Sequence, residues 1–398
     1  MAVRHVKKKI RNLVTLFGEF FENERASGIL LLVCTATSII IANSPLGSDY
    51  HDFWHMPLLN HDLSHWINDG LMAIFFLLIG LEIKRELYVG ELSTPQNAML
   101  PVAAAIGGMV TPALFHFLLN RGTATAQGAG IPMATDIAFA LGAISLLGKR
   151  VPTSLKIFLA ALAIIDDLGA IVVIAVFYVA GFSPPYLAAA LAIFALLLVL
   201  KRCKVHWLSI YLALGTVMWY FMLKSGVHAT IAGVLLAFAI PFRDGDSCSP
   251  SYRLQHFLHK PVAFIIMPLF ALSNTGITLT GNWAQGLVTA NSLGIFAGLM
   301  AGKPLGIGLF SYLTVKSGLA KLPTGVGWKH IFSVAFLGGI GFTMSIFITL
   351  LAFGTPEVIE ASKLSILLSS LVAGTTGYFL LNRVTRPGRS VKPDHSGA

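Results

Sequence analysis

The chain has 398 residues, 55% of them hydrophobic and only 12% charged, with a mean hydropathy of +0.76 and a formal net charge of +10. Soluble domains carry about 25% charged residues, so the composition excludes a disordered chain, a secreted disulfide scaffold and an ordinary soluble enzyme. Charge-free apolar runs of about 20 residues recur, which predicts an all-α polytopic membrane protein; runs such as 171–179 and 187–200 are continuously apolar and lack the alternation of a membrane β-barrel.

Residues 1–26 are basic, with Ile10, Leu13, Val14, Phe17, Phe20 and Phe21 at helical spacing beside Lys7, Lys8, Lys9 and Arg11. This predicts a cytoplasmic amphipathic helix on the membrane surface and not a signal peptide, because no long apolar run or cleavage site follows the lysines. A transmembrane domain over 27–383 comes next. Its charge-poor windows define about twelve spans, near 27–43, 64–83, 98–119, 132–147, 154–179, 185–200, 206–223, 226–241, 260–275, 290–314, 330–352 and 363–382. Span 4 is interrupted by Pro132, Thr135 and Asp136, and span 11 by Gly338, Gly339 and Gly341, followed by Thr343 and Ser345. A cytoplasmic tail over 384–398 ends the chain.

With the N-terminus inside, 24 of the 28 Lys and Arg residues fall on the inner side and only Arg121, Lys224 and Lys363 outside. One missed span in the middle would destroy that asymmetry, so an even count with both termini cytoplasmic follows. The basic residues therefore read as topology signals and not as a nucleic-acid surface. Spans 3–5 then start inside and spans 10–12 outside, each block with a broken middle member, a pattern that predicts two inverted three-helix repeats around a midplane site. Cys34, Cys203 and Cys248 have neither metal-ligand spacing nor an even-numbered framework, so no disulfide, bound metal cofactor or other cofactor is expected.

Of eighteen Asp and Glu, only Asp136, Asp166 and Asp167 lie deep in spans, and Lys303 is the one deep basic residue. Four unpaired charges at mid-bilayer would cost roughly 10–14 kcal/mol. They must pair, protonate or line a wet cavity. Asp166 and Asp167 diverge by about 100° on a helix, so one carboxylate can face a cation or proton while the other reaches a neighbouring helix. Asp136, after Thr135 in a broken helix, would offset the positive helix ends, and Lys303 the negative ones. His228 is either an interfacial histidine or a pH-responsive one. Asp69 and Glu82 mark the ends of span 2 as headgroup-level anchors, and Glu82, Lys84, Arg85 and Glu86 read as a solvated helix end.

The stretches WINDGLMAIFFLLIGLEIKREL, IPMATDIAFALG, LKIFLAALAIIDDLGAI, LKSGVHATIAG, AGKPLGI and GGIGFTMSIF, in this order across 27–383, resemble the bacterial sodium/proton antiporters of the NhaA type. The resemblance implies a twelve-helix inner-membrane transporter whose spans 4 and 11 unwind and cross, exchanging cytoplasmic sodium, and lithium, for external protons by alternating access, electrogenically and under pH control. It implies that Asp167 binds the cation and proton, that Asp166 and Thr135 join it as ligands, and that Asp166 pairs with Lys303. Asp136 and Thr135 would lie beside the crossing, and Glu82, Arg85, Glu86, His228, His256 and His259 would belong to the pH response. Gln255 replaces a glutamate of that inner cluster. The resemblance also implies a homodimer in membrane lipid, although the loop 44–63 is shorter than the family's outer hairpin arm and shows no two clean strands. An intramembrane aspartyl protease, the alternative enzyme reading, would need two aspartates on separate helices and a Gly-x-Gly-Asp motif; adjacent Asp166 and Asp167 cannot converge on a scissile bond. A passive channel would dissipate gradients without coupled exchange.

Overall fold

The structure, a computed structural model, describes residues 25–59, 61–179, 181–242, 249–279 and 283–386. The amphipathic helix expected before residue 25 and most of the tail lie outside the described residues. In chain order the helices are α1 (Arg25–Ala42), α2 (Gly47–Trp54), α3 (Leu63–Val89), α4 (Pro95–Leu119), α5 (Ala124–Met133), α6 (Ile137–Ser145), α7 (Thr153–Phe177) and α8 (Pro184–Arg202). They continue with α9 (Leu208–Lys224), α10 (Thr230–Ala239), α11 (Pro250–Asn274), α12 (Trp283–Leu287), α13 (Ala290–Lys316), α14 (Trp328–Gly338), α15 (Phe342–Ala352) and α16 (Pro356–Val384).

Among the described residues, α1, α3, α4, α7, α8, α11, α13 and α16 are each long and apolar enough to cross a membrane. The pairs α5 with α6 and α14 with α15 add two candidates bent by 40° and 45° at short breaks, and α9 and α10 are apolar but shorter. The chain is a multi-pass helical membrane protein. Helix starts follow local chemistry: proline opens α4, α8 and α16, where its missing N–H is no loss. The Ser249 and Thr289 hydroxyls accept from the Tyr252 and Ser292 amides at 3.2 and 3.3 Å and so begin α11 and α13.

Lipid is as apolar as leucine, so membrane helices gain by close backbone packing through small residues. Helices α3 and α10 meet at Gly80 and Gly233, where a Cβ on Gly80 would lie 2.6 Å from the Ala237 Cβ and one on Gly233 would lie 2.9 Å from the Leu77 amide. Helices α4 and α13 cross in the same way, with Gly107 on the Gly306 carbonyl and Gly302 within 2.7 Å of Pro112 by the same measure.

Three findings depart from the sequence reading. Loop 44–63 contains a helix, α2, and an antiparallel hairpin pairing β1 (Pro57–Leu58) with β2 (His61–Asp62). Strands of two residues are too short to show alternation in sequence; the hairpin rests on the Asp62 carboxylate, 3.0 Å from His55 and accepting from the His65 amide at 2.8 Å. Glu82 is buried and so is not a headgroup anchor. Lys84 is 1% exposed, the opposite of a solvated helix end. Its ammonium donates to the carbonyls of Ala237 at 3.1 Å, Phe238 at 3.3 Å and Ile240, and Lys201 adds a bond to Phe238 O at 3.0 Å. The last carbonyls of α10 lack intrahelical partners and carry partial negative charge, so a cation there caps them.

Lys84→Met retains most of the stem but leaves these carbonyls short of a donor. It should destabilise the fold by about 1–3 kcal/mol, read as an earlier thermal melt in detergent; a variant melting with the wild type would show that the cap contributes nothing.

Candidate functional site

The breaks between α5 and α6 and between α14 and α15 touch: the Asp136 amide donates to the Ile340 carbonyl at 2.7 Å. Four helix ends therefore meet inside the bundle, each with unpaired backbone groups. Asp136 serves both positive ends. One carboxylate oxygen accepts from the Phe139 amide at 3.1 Å, capping α6, and the other from the Thr343 amide at 3.1 Å and the Thr343 hydroxyl, capping α15.

The negative ends are met by Lys303 and Thr135. A π turn at Gly298–Gly302 resets the register of α13 just ahead of Lys303, whose ammonium donates to the Met133 carbonyl at the end of α5. The Thr135 hydroxyl lies 2.9 Å from the Gly338 carbonyl at the end of α14 and 2.6 Å from Asp166 Oδ2. Lys303 Nζ is 2.9 Å from that same oxygen, with both side chains fully buried. Asp166 is thus bound to Lys303 and Thr135, and among the described residues its other oxygen has no hydrogen-bond partner.

Asp167 points elsewhere. It is fully buried, and among the described residues neither of its oxygens has a hydrogen-bond partner. Asp167 and Asp136 line a cavity of about 40 Å³ with Ser27, Glu82, His259 and Thr343. A site for one water needs about 10–15 Å³, so the cavity accommodates a small ion or a few waters. Bare carboxylates and hydroxyls are hard oxygen donors, suited to a small cation and equally able to accept a proton. Of the expected ligand set, Asp167 lines this cavity, whereas Asp166 and Thr135 are not among its lining residues and are bonded to each other.

The remaining sequence candidates divide among four places. Glu82 lies 3.9 Å from His259 Nδ1 and accepts from the side-chain amide of Gln255. Arg85 pairs with Glu86 at 2.9 Å, and Glu86 also accepts from the Glu91 amide at 3.1 Å. His256 is exposed and stacked on Tyr252. At the opposite end of the bundle His228 Nε2 lies 2.6 Å from the Tyr178 carbonyl, and Asp69 lies 3.2 Å from His65 Nδ1. Thr343, a direct partner of Asp136, is absent from the sequence candidates; its signal was a hydroxyl directly after a glycine-rich break.

The sequence profile of the Na+/H+ antiporter 1 family matches residues 18–381. The chain is similar to the Na+/H+ antiporter NhaA of Flavobacterium psychrophilum, 60% identical over 371 residues, 93% of this chain and 97% of that one. It is similar also to the Na+/H+ antiporter NhaA of Dechloromonas aromatica, 59% identical over 92% of this chain and 95% of the relative. Among solved structures, the sodium proton antiporter MjNhaP1 of Methanocaldococcus jannaschii aligns over 90% of this chain and 92% of its own, with a TM-score of 0.47 and 16% identity.

Breaking a buried ion pair on one side typically costs about 3–5 kcal/mol, whereas neutralising both partners is often nearly neutral. Asp166→Asn and Lys303→Gln should each lower thermal stability, and the double variant should regain most of the loss. Additive losses would mean that the two charges do not depend on each other.

Proposed function

Because the chain belongs to the Na+/H+ antiporter 1 family, we propose that it exchanges cytoplasmic sodium, and lithium, for external protons through alternating access to Asp167. The observation that carries this reading is a carboxylate fully buried, without hydrogen-bond partners among the described residues, on a cavity beside the crossing of two broken helices. One carboxylate holds a proton or a cation but not both, so occupancy by one displaces the other, and opening the site to each side in turn makes displacement exchange. Asp166 is tied to Lys303 and Thr135, so it tunes the site from one side while Asp167 carries the load. A protease is disfavoured by the same geometry, since one aspartate of the pair is committed to a lysine.

The finer reading has twelve spans, obtained by counting each bent pair as one broken span and adding α9 and α10. It has two inverted repeats, α4 to α7 and α13 to α16, supported by their opposite starting sides and their bent middle members. Both termini lie in the cytoplasm of a bacterial cell, the protein sits in the inner membrane, and the hairpin is the surface for a homodimer. Glu82 and His259 line the cavity and the Gln255 side chain bonds to Glu82, a grouping that supports control by pH.

Asp167→Asn can neither carry a proton nor lend a charge, so it should abolish sodium-dependent collapse of the proton gradient in everted vesicles while the protein still accumulates. Wild-type rates in a well-folded variant would refute the assignment.

If two protons exchange for one cation, each cycle moves one net charge, worth about 2.3 kcal/mol per 100 mV. Exchange in proteoliposomes should then respond to an imposed potential and, across a pH series, show an onset that moves with Gln255→Glu. Rates indifferent to voltage would rule out the coupling, and an onset indifferent to Gln255→Glu would remove the cluster from pH control.

A further inference from the structure

The cavity touches Ser27 near the start of α1, Glu82 near the end of α3 and His259 early in α11, helix ends that alternation of direction puts on one side of the bundle. Towards the opposite side the same helix continues from Asp167 in a column of buried residues. Ile171, Ile174 and Tyr178 follow Asp167 at four, seven and eleven residues, one face of a helix over about 16 Å. All three are buried, Tyr178 at 8% exposure where α7 ends.

Tyr178 is pinned from two directions. Its hydroxyl donates to the Gln127 carbonyl on α5 at 2.8 Å, and its own carbonyl lies 2.6 Å from His228 Nε2, just before α10. The Gln127 side chain extends the chain of bonds to the Ala352 carbonyl at 2.7 Å, where α15 ends. The hydroxyl crosses α5 over Gly130, where a Cβ would lie 2.6 Å from it, so any larger residue would crowd the bond. These contacts join α5, α7, α10 and α15 at a single point, on the side away from the cavity.

We propose that Tyr178, bound to Gln127 and His228 over the Ile171 and Ile174 column, is the latch that seals Asp167 from the side opposite the cavity, and that it must release for Asp167 to exchange ions with that side. This rests on the alternating-access reading of the site. While the latch holds, the state open to the Tyr178 side is a minor population, and the apparent affinity for ions from that side is reduced by its small fraction. Losing one hydrogen bond from the latched state alone raises that fraction about two- to tenfold.

Tyr178→Phe removes the hydroxyl and keeps the ring, while Gly130→Ala leaves the tyrosine and crowds its bond, so each variant checks the other if one fails to accumulate. Sodium-driven exchange is measured in everted and in right-side-out vesicles, with sodium presented from each face. Both variants should lower the apparent KM for sodium on the Tyr178 side about two- to tenfold, with the KM on the cavity side unchanged or raised. Equal changes on both faces, or a loss of maximal rate alone, would make Tyr178 a merely structural residue and overturn the latch. Absence of any sodium–proton exchange in the wild type would instead sink the functional reading on which the latch rests.

Discussion

Four helix ends brought together inside an apolar slab set the terms for this structure. Each end carries about half an elementary charge, and nothing in lipid can solvate it. Asp136 meets both positive ends with one carboxylate, and Lys303 with Thr135 meets the negative ones. The ammonium that serves α5 needs an anion of its own, which Asp166 supplies at 2.9 Å. Adjacent residues on a helix diverge, so fastening Asp166 to Lys303 turns Asp167 away from both and onto the cavity. The carboxylate proposed to move ions is thus the one left over when the crossing has been neutralised.

The neutralised crossing depends in turn on how closely its supporting helices approach. Lys303 reaches the α5 terminus because α13 lies against α4 with glycine at the contacts. A Cβ at Gly108 would stand 2.8 Å from Ile307 Cγ1 and 3.9 Å from Lys303 Cε. A larger residue there would push α13 outward and move the ammonium from Met133. The α3 and α10 pair is built on the same device, Gly80 against Ala237 and Gly233 against Ala73 and Leu77. There the lysine is Lys84, and the helix end it serves is that of α10. Each glycine-packed pair thus carries a buried lysine that caps a helix end, Lys84 that of its own partner α10 and Lys303 that of α5. The two lysines differ in their partners among the described residues: Lys303 has Asp166 as well as a carbonyl, whereas Lys84 donates to carbonyls.

Much of this was legible in the residues themselves. Apolar runs without alternation identified helices in a membrane, because a spanning segment must satisfy its own backbone. Pro132, Gly338, Gly339 and Gly341 marked the two interruptions, and the cost of a buried charge singled out Asp136, Asp166, Asp167 and Lys303. Such signals are local, and composition and spacing carry them. The reading of Lys84 and Glu82 failed because charge near the end of an apolar run looks the same whether the partner is water or another helix. The hairpin at Pro57–Leu58 and His61–Asp62 was missed because two residues cannot show a period of two.

The sequence by itself therefore determined that this is a helical membrane protein with two interrupted apolar runs and a few expensive charges that must be compensated. Only the tertiary structure decided which charge compensates which end: that Asp136 bridges α6 and α15, that Asp166 takes Lys303 and leaves Asp167 on the cavity, that His259 lies beside Glu82 while His256 turns outward, and that Tyr178 bonds to Gln127 and His228. The reason is distance along the chain. Thr343 lies 207 residues from Asp136, Met133 lies 170 from Lys303, and the carbonyls that Lys84 caps lie more than 150 residues beyond it. Pairings of that kind depend on which helices pack together, and no local pattern in the chain records them.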